Sequence, residues 1–188
     1  QDKLEFQDFV ANVGLRLDYN DPNAVYYGAD PYSKYFSRVY KSLLVTEAPA
    51  EDATAHWRLS PRLGVAHPIT NVSKLFFNYG HFYDMASAFD RHEIDYGISN
   101  QGIARLGNPS LMPRKTIAYE LGYEHEIAEQ WLIRVTGYYR DVTNQIGEVY
   151  YVNYDESVNY ATFSNDNFAD VRGVEIELRK DWGNWVTG

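Results

Sequence analysis

The sequence has no cysteine, which excludes disulfides, thiolate nucleophiles and cysteine-ligated zinc together while leaving the compartment open. It is short of positive charge: 17 Lys and Arg stand against 26 Asp and Glu, a formal net charge of -9. Such a chain lacks the phosphate-neutralising surface on which nucleic-acid binding depends, and no nucleic-acid partner is expected. No run reaches the ~18 apolar residues of a spanning helix, and the mean hydropathy is -0.48. The start QDKLEFQDFV has no basic stretch followed by an apolar one, so no secretory leader is expected there, and the chain reads as mature or as a piece of something longer. Nucleophile elbows, phosphate-gripping glycine loops and H-E-x-x-H are missing too, so catalytic residues, cofactor and metal are all expected to be none.

What is abundant is aromatic side chains, 17 Tyr, 9 Phe and 4 Trp in 188 residues, and a period of two. Six stretches carry that period. In FVANVGLRLDY (9–19), Phe9, Ala11, Val13, Leu15 and Leu17 oppose Asn12, Gly14, Arg16 and Asp18. WRLSPRLGVA (57–66) and KLFFNYGHFY (74–83) repeat the pattern. TIAYELGYEHEIAEQWLIRVTGYYR (116–140) supplies two more strands, the first with Ile117, Tyr119, Leu121 and Tyr123 against Ala118, Glu120, Gly122 and Glu124. VRGVEIELRKDW (171–182) is the sixth, and a seventh is expected to begin at Trp185.

Short joints near 68–74, 126–130 and 181–185 alternate with long ones at 20–56, 85–115 and 147–170. An up-and-down antiparallel sheet with that alternation has all its tight turns at one end and its large loops at the other, as in outer-membrane barrels. The first long loop contains Tyr35, Phe36, Val39, Tyr40, Leu43 and Leu44 at helical spacing, which predicts a short amphipathic helix. The expected fold class is all-β: antiparallel up-and-down transmembrane strands, a partial barrel of about six to seven strands, with long loops at one end.

Alternation alone fits two media, because a soluble β-sandwich binding module for glycans or protein partners also pairs one apolar face with one wet face. Strands of about ten residues match a ~25 Å apolar band crossed at about 40°. Trp57, Tyr83, Trp131, Tyr139 and Trp182 fall beside turns or loop mouths, where interfacial girdles lie. A one-residue slip would turn Glu120, Glu124, Arg134, Glu175, Glu177 and Arg179 to lipid, so the register is strongly set. Phe76 and Phe82 sit on the lumen parity, and His81 and Lys180 on the lipid parity, against the pattern.

The polar residues read structurally. His92 beside Glu93 is a solvated loop histidine, and His125 cannot share a site with Glu124 or Glu126 because neighbours in a strand face opposite ways. NDNFAD (165–170) lacks the spacing and glycine of a calcium loop. Glu120 and Glu124 are expected to face Arg134 and Arg140 across strands, and Glu175 and Glu177 to face Arg134 or Arg179, pairs that fix register and help seat a plug.

LSPRLGVAHPIT (59–70), NP-x-L-x-P-x-KT-x-x-YELG (108–122) and NFADVRGVEIELRKDW (167–182) resemble, in content and order, the barrel of TonB-dependent outer-membrane receptors. Arg114 stands where many relatives carry Glu. The resemblance implies an outer-membrane receptor for energy-coupled uptake of a scarce solute such as a siderophore, vitamin, glycan or peptide. It implies a Gram-negative outer membrane, contact with its lipid, and the TonB energy-coupling protein as partner through a plug. Such a barrel has about 22 strands, so residues 1–188 are expected to be an internal section, with the plug and the C-terminal strands outside them. Cargo contacts are expected in the long loops, at Arg91, Tyr96, Arg105, Tyr151 and Tyr154.

Overall fold

The computed structural model describes residues 2–6, 9–98, 101–127 and 130–180. Its strands are β1 (Asp2–Phe6), β2 (Phe9–Asn20), β3 (Val25–Tyr27), β4 (Ala50–Asp52), β5 (His56–Thr70), β6 (Ser73–Asp84), β7 (Ile94–Asp95), β8 (Arg105–Leu106), β9 (Arg114–Ile127), β10 (Trp131–Val152) and β11 (Asn159–Lys180). The main sheet runs β1-β2-β5-β6-β9-β10-β11-β8-β7, and β3 pairs with β4 separately. From β1 to β11 every neighbour is antiparallel, an up-and-down meander with the expected six long strands. The turn at Asn71 and Val72 joins β5 to β6 at the same end as the β9–β10 joint.

Register lines up the apolar parity across the whole sheet. One row reads Ala11, Val65, Phe77, Leu121, Gly137 and Val174, and another reads Val13, Leu63, Tyr79, Tyr119, Tyr139 and Arg172. Among the described residues no second sheet packs on this face: Leu15, Leu121, Val174 and Ile176 are 69%, 59%, 72% and 70% exposed. Burying one such side chain contributes about 1.5–3 kcal/mol, and a continuous apolar face of this extent is not what a monomer shows to water. The two clusters of buried hydrophobic residues lie in the loops and the outer hairpin, not against the sheet. That arrangement overturns the sandwich reading, which requires the Tyr-rich face to be covered by protein.

The residues that broke parity have local explanations. The Phe76 ring fills the space over Gly122, where an added Cβ would overlap its Cζ, and Arg134 sits 6.0 Å from the ring centre. Phe82 lies against Gly80, with Arg62 at 5.0 Å. On the lipid parity, His81 Nε2 is 2.6 Å from the Tyr79 hydroxyl. Lys180 places its ammonium 5.6 Å from the Trp131 ring, the aromatic directly opposite it in register.

The structure corrects three expectations. The stretch 147–170 is mostly strand: β10 and β11 run on as a long hairpin, leaving only residues 153–158 as its tip. Register shifts between Val142, Gln145 and Gly147, with Asn144 at φ 57°, break the period of two and hid that extension. The amphipathic helix in the first loop is instead two 3-10 turns, Lys34–Phe36 and Lys41–Leu43, and a single turn, α1 (Leu44–Glu47). Ser37 ends the first of these: its backbone is extended and its hydroxyl donates to the Lys34 carbonyl at 2.6 Å. Third, β1 was not anticipated. Trp182 and the seventh strand at Trp185 lie outside the described residues.

Candidate functional site

Two regions carry the polar chemistry. The first is the concave face of the sheet. There, Lys74, Glu124, Arg134 and Glu177 stand in register on β6, β9, β10 and β11. Lys74 Nζ lies 2.7 Å from one Glu124 oxygen, and Arg134 donates to the other from Nη2 at 2.7 Å and Nε at 2.9 Å. Its remaining Nη1 reaches Glu177 at 3.0 Å. Four residues further out on β9, Glu120 lies 3.8 Å from Arg140 and also accepts from Asn78 at 3.5 Å. The expected pairing of Glu120 and Glu124 with Arg140 and Arg134 is therefore present, as is that of Glu177 with Arg134. Four alternating charges across four strands fix register, since a slip by one residue breaks every pair.

The second region is a head built where the long loops meet the outer hairpin. In the first loop, Phe36 and Leu44 are fully buried. They pack with Ile103 and Leu106 of the second loop and with Val158 and Tyr160 of the hairpin. Phe36 stacks on Tyr160 at 4.5 Å. Backbone contacts bind the pieces: Ile103 N donates to Phe36 O at 3.0 Å, and Lys41 Nζ donates to the carbonyls of Tyr96 and Gln101 at 2.5 and 2.9 Å. A side chain on Gly102 would meet Phe36 O at 2.3 Å, so only glycine lets these loops approach so closely.

The second loop is anchored at both ends. Its helix α2 (Ala88–His92) starts with a capping box in which Asp90 N donates to Ser87 Oγ and Ser87 N donates to Asp90 Oδ2. β8 then pairs in parallel with Ala161 and Thr162 of β11. The NPSLMP segment (108–113) is clamped to β11: Asn108 Nδ2 donates to Phe163 O at 3.0 Å, and Asn165 both accepts from Met112 N at 2.7 Å and donates to Met112 O at 3.0 Å. Leu111 and Pro113 of this segment are fully buried. Arg114, where the motif departs, pairs with Asp84 at 2.6 Å.

The five expected contact residues all fall in this head, in different settings. Arg105 lies on β8 between Glu93 at 3.5 Å and Glu148 at 3.7 Å, with its guanidinium 5.2 Å from the Phe89 ring centre. Its charge is thus already matched within the head. Arg91 is half-buried in the last turn of α2. Tyr151 packs against Tyr160 at 5.5 Å and edge-on to Tyr32 at 5.9 Å. Tyr96 is exposed, and Tyr154 is fully exposed at the hairpin tip. Register brings Arg105, Ala161 and Tyr150 side by side, so Tyr150, Glu148 and Tyr32 join the expected set. Tyr150 was missed because the bulges reset parity just before it.

Electrostatics in the head follow burial and hydrogen bonding. Burial pushes the Tyr160 phenol well above the usual range for tyrosine. The Tyr150 phenol is also raised, first by its 2.6 Å hydrogen bond to Glu148. The hairpin from 143 to 170 carries Glu148, Asp155, Glu156, Asp166 and Asp170 and no basic residue, so the outer end of the molecule is acidic. No group of three or more metal-ligating side chains occurs among the described residues.

Comparison with known proteins points the same way. The β-barrel model of the TonB dependent receptor-like family matches residues 1–188. A double mutant of the Serratia marcescens hemophore receptor HasR, in complex with its hemophore HasA and heme, superposes with TM-score 0.57 at 20% identity, over 93% of this chain and 28% of that one. The siderophore receptor PirA from Pseudomonas aeruginosa gives TM-score 0.59 at 17% identity, over 94% and 29%. A mutant ferric enterobactin receptor PfeA from Pseudomonas aeruginosa, in complex with enterobactin, gives 0.60 at 16%, over 93% and 23%. At these identities the likeness is one of fold, and the chain spans less than a third of each receptor. No protein of curated function matches it. The chain belongs to the TonB-dependent receptor-like β-barrel family of the Gram-negative outer membrane, and its meander forms part of such a barrel wall.

Proposed function

We propose that residues 1–188 are an internal wall section of an outer-membrane receptor that takes up a scarce solute, a siderophore, vitamin, glycan or peptide, by energy-coupled transport. The observation that carries this reading is the split of one sheet into an apolar face that no layer of the described residues covers and a face lined with paired charges. Hydrocarbon is the medium that satisfies the first face, and a wet lumen the second. Six long strands fall short of the eight-stranded minimum for a closed barrel, so the remaining strands and the plug come from the rest of the receptor, and the TonB protein couples through that plug.

The work is binding and not covalent chemistry. The head presents Tyr96 and Tyr154 to the outside, with Arg91, Arg105 and Tyr151 around them, and these five residues are the proposed cargo contacts. Tyrosine suits the role, offering a broad apolar surface and a polar tip at small conformational cost. In the lumen, the Lys74–Glu124–Arg134–Glu177 ladder leaves its outer carboxylate and lysine half-exposed, where a plug can dock. The test is to express the full-length protein, measure whether it leaves the membrane fraction only with detergent, and measure solute accumulation before and after the inner-membrane proton gradient is collapsed. Detergent-dependent extraction and gradient-dependent uptake are expected. A protein freely soluble in the periplasm defeats the reading.

A further inference from the structure

The apolar face is not uniform. Where the row Phe77, Leu121 and Val174 crosses β10, the residue is Gly137. A Cβ there would meet only the Leu121 carbonyl oxygen, at 3.9 Å. The result is a shallow groove between Leu121 and Val174, walled on its outer side by Tyr119 and Tyr139. On the opposite parity, Gly80, Gly122 and Gly173 are each filled by a neighbour's ring, from Phe82, Phe76 and Tyr138. Gly137 is left open.

At the outer end of this groove stands Arg172, opposite Tyr139 in register, exposed and on the lipid parity. Among the described residues no carboxylate lies within ion-pair distance of it. Asp141 and Asp170 lie one row further out, and Asp170 is engaged by the Tyr139 hydroxyl at 2.9 Å. Inward from Arg172 the face reads Val174, Ile176 and Leu178 until Lys180. Eight residues at about 3.3 Å, tilted about 40°, put Arg172 roughly 20 Å from the inner girdle, near the outer edge of the ~25 Å band. An arginine at that depth has an apolar cleft below it and head groups beside it. A head-group anion of the lipid is within reach of that charge.

From this the geometry points to a bound-lipid site on the outside of the barrel. An acyl chain of a phosphorylated outer-leaflet glycolipid (lipid A) lies over Gly137 between Leu121 and Val174, and its phosphate pairs with Arg172. The assignment rests on the membrane reading above, and charge complementarity selects the occupant: an apolar groove capped by one cation fits an amphiphile with an anionic head. A second copy of the chain would have to bring its own anion to the same depth.

The test uses the full-length receptor in nanodiscs of phosphatidylcholine containing diphosphoryl lipid A, with retained lipid counted by native mass spectrometry. Wild type is expected to retain lipid A above its share of the bilayer. Arg172→Ala lowers that retention about fivefold, the worth of one cation beside an anionic membrane surface. Arg172→Lys keeps most of it, and Gly137→Leu, which fills the groove without changing charge, loses it. Circular dichroism and heat-shifted gel mobility establish that each variant is folded. Equal retention by all four proteins overturns the site, as does retention of phosphatidylcholine to the same degree. A dimer that Gly137→Leu splits without any change in bound lipid also overturns it, giving the groove to a second copy. A receptor that never needs detergent defeats the membrane reading itself, whereas one that inserts but retains no lipid A defeats only this site.

Discussion

Ile176→Lys is the sharpest probe of the medium around the sheet. Ile176 lies on the apolar parity of β11, in the row Tyr123, Val135 and Ile176, and is 70% exposed. Four residues separate it from Lys180 at the inner girdle, which at about 3.3 Å each and a tilt of about 40° is roughly 10 Å, close to the middle of the band. A lysine held there costs about 2–4 kcal/mol. The same substitution at Thr136 places the ammonium on the opposite face, in register with Glu175, where a change of about 0.5 kcal/mol is expected. Equilibrium unfolding of the full-length receptor from lipid vesicles by denaturant measures both. In a soluble protein, an exposed Ile176 would tolerate lysine as well as Thr136 does. A difference between the two variants smaller than about 1 kcal/mol therefore refutes the assignment of hydrocarbon to this face.

Three further outcomes are expected. Gly122→Val drives a side chain into the Phe76 ring and costs about 1–3 kcal/mol; Phe76→Ala in the same protein recovers part of it, and a double-mutant cycle that shows strict additivity is the contrary result. Arg134→Met removes the central cation of the ladder and strands Glu177 while Glu124 keeps Lys74, lowering stability by about 1–3 kcal/mol; adding Glu177→Gln should restore some of it, as read by denaturant midpoint. In the head, burial raises the Tyr160 phenol, so the folded state disfavours its ionisation. Head stability is then full below the ordinary tyrosine value of about 10 and falls as pH rises beyond it. Protease cleavage of the loops should accelerate as pH rises above about 10 in wild type and change less in Tyr160→Phe, in which the ring stack on Phe36 remains without a titrating group.

Much of the wall was legible because a strand reports its two environments at alternate residues. The six long strands, the pairing of Glu120 and Glu124 with Arg140 and Arg134, and the turn at one end of the sheet all follow from that period. Where a local event breaks the period, legibility stops. The bulges at Val142, Gln145 and Gly147 hid the outer part of the hairpin, and with it the place of Tyr150 beside Arg105. Helical spacing around Phe36 misled for a related reason: Phe36 and Leu44 are spaced to share a helix face, yet they are buried by partners from other loops, and Ser37 competes locally for the helix backbone.

The sequence by itself determined which residues lie on which face, because side-chain direction in a strand depends only on parity. Only the tertiary structure decided what meets those faces: that none of the described residues covers the Leu, Val and Tyr side, that Lys74, Glu124, Arg134 and Glu177 close into one chain of charges, and that three distant segments bury Phe36, Ile103 and Tyr160 together. Parity is a local property of the backbone, whereas a neighbour 60 or 120 residues away is set by register and loop closure, which leave no period in the chain to read.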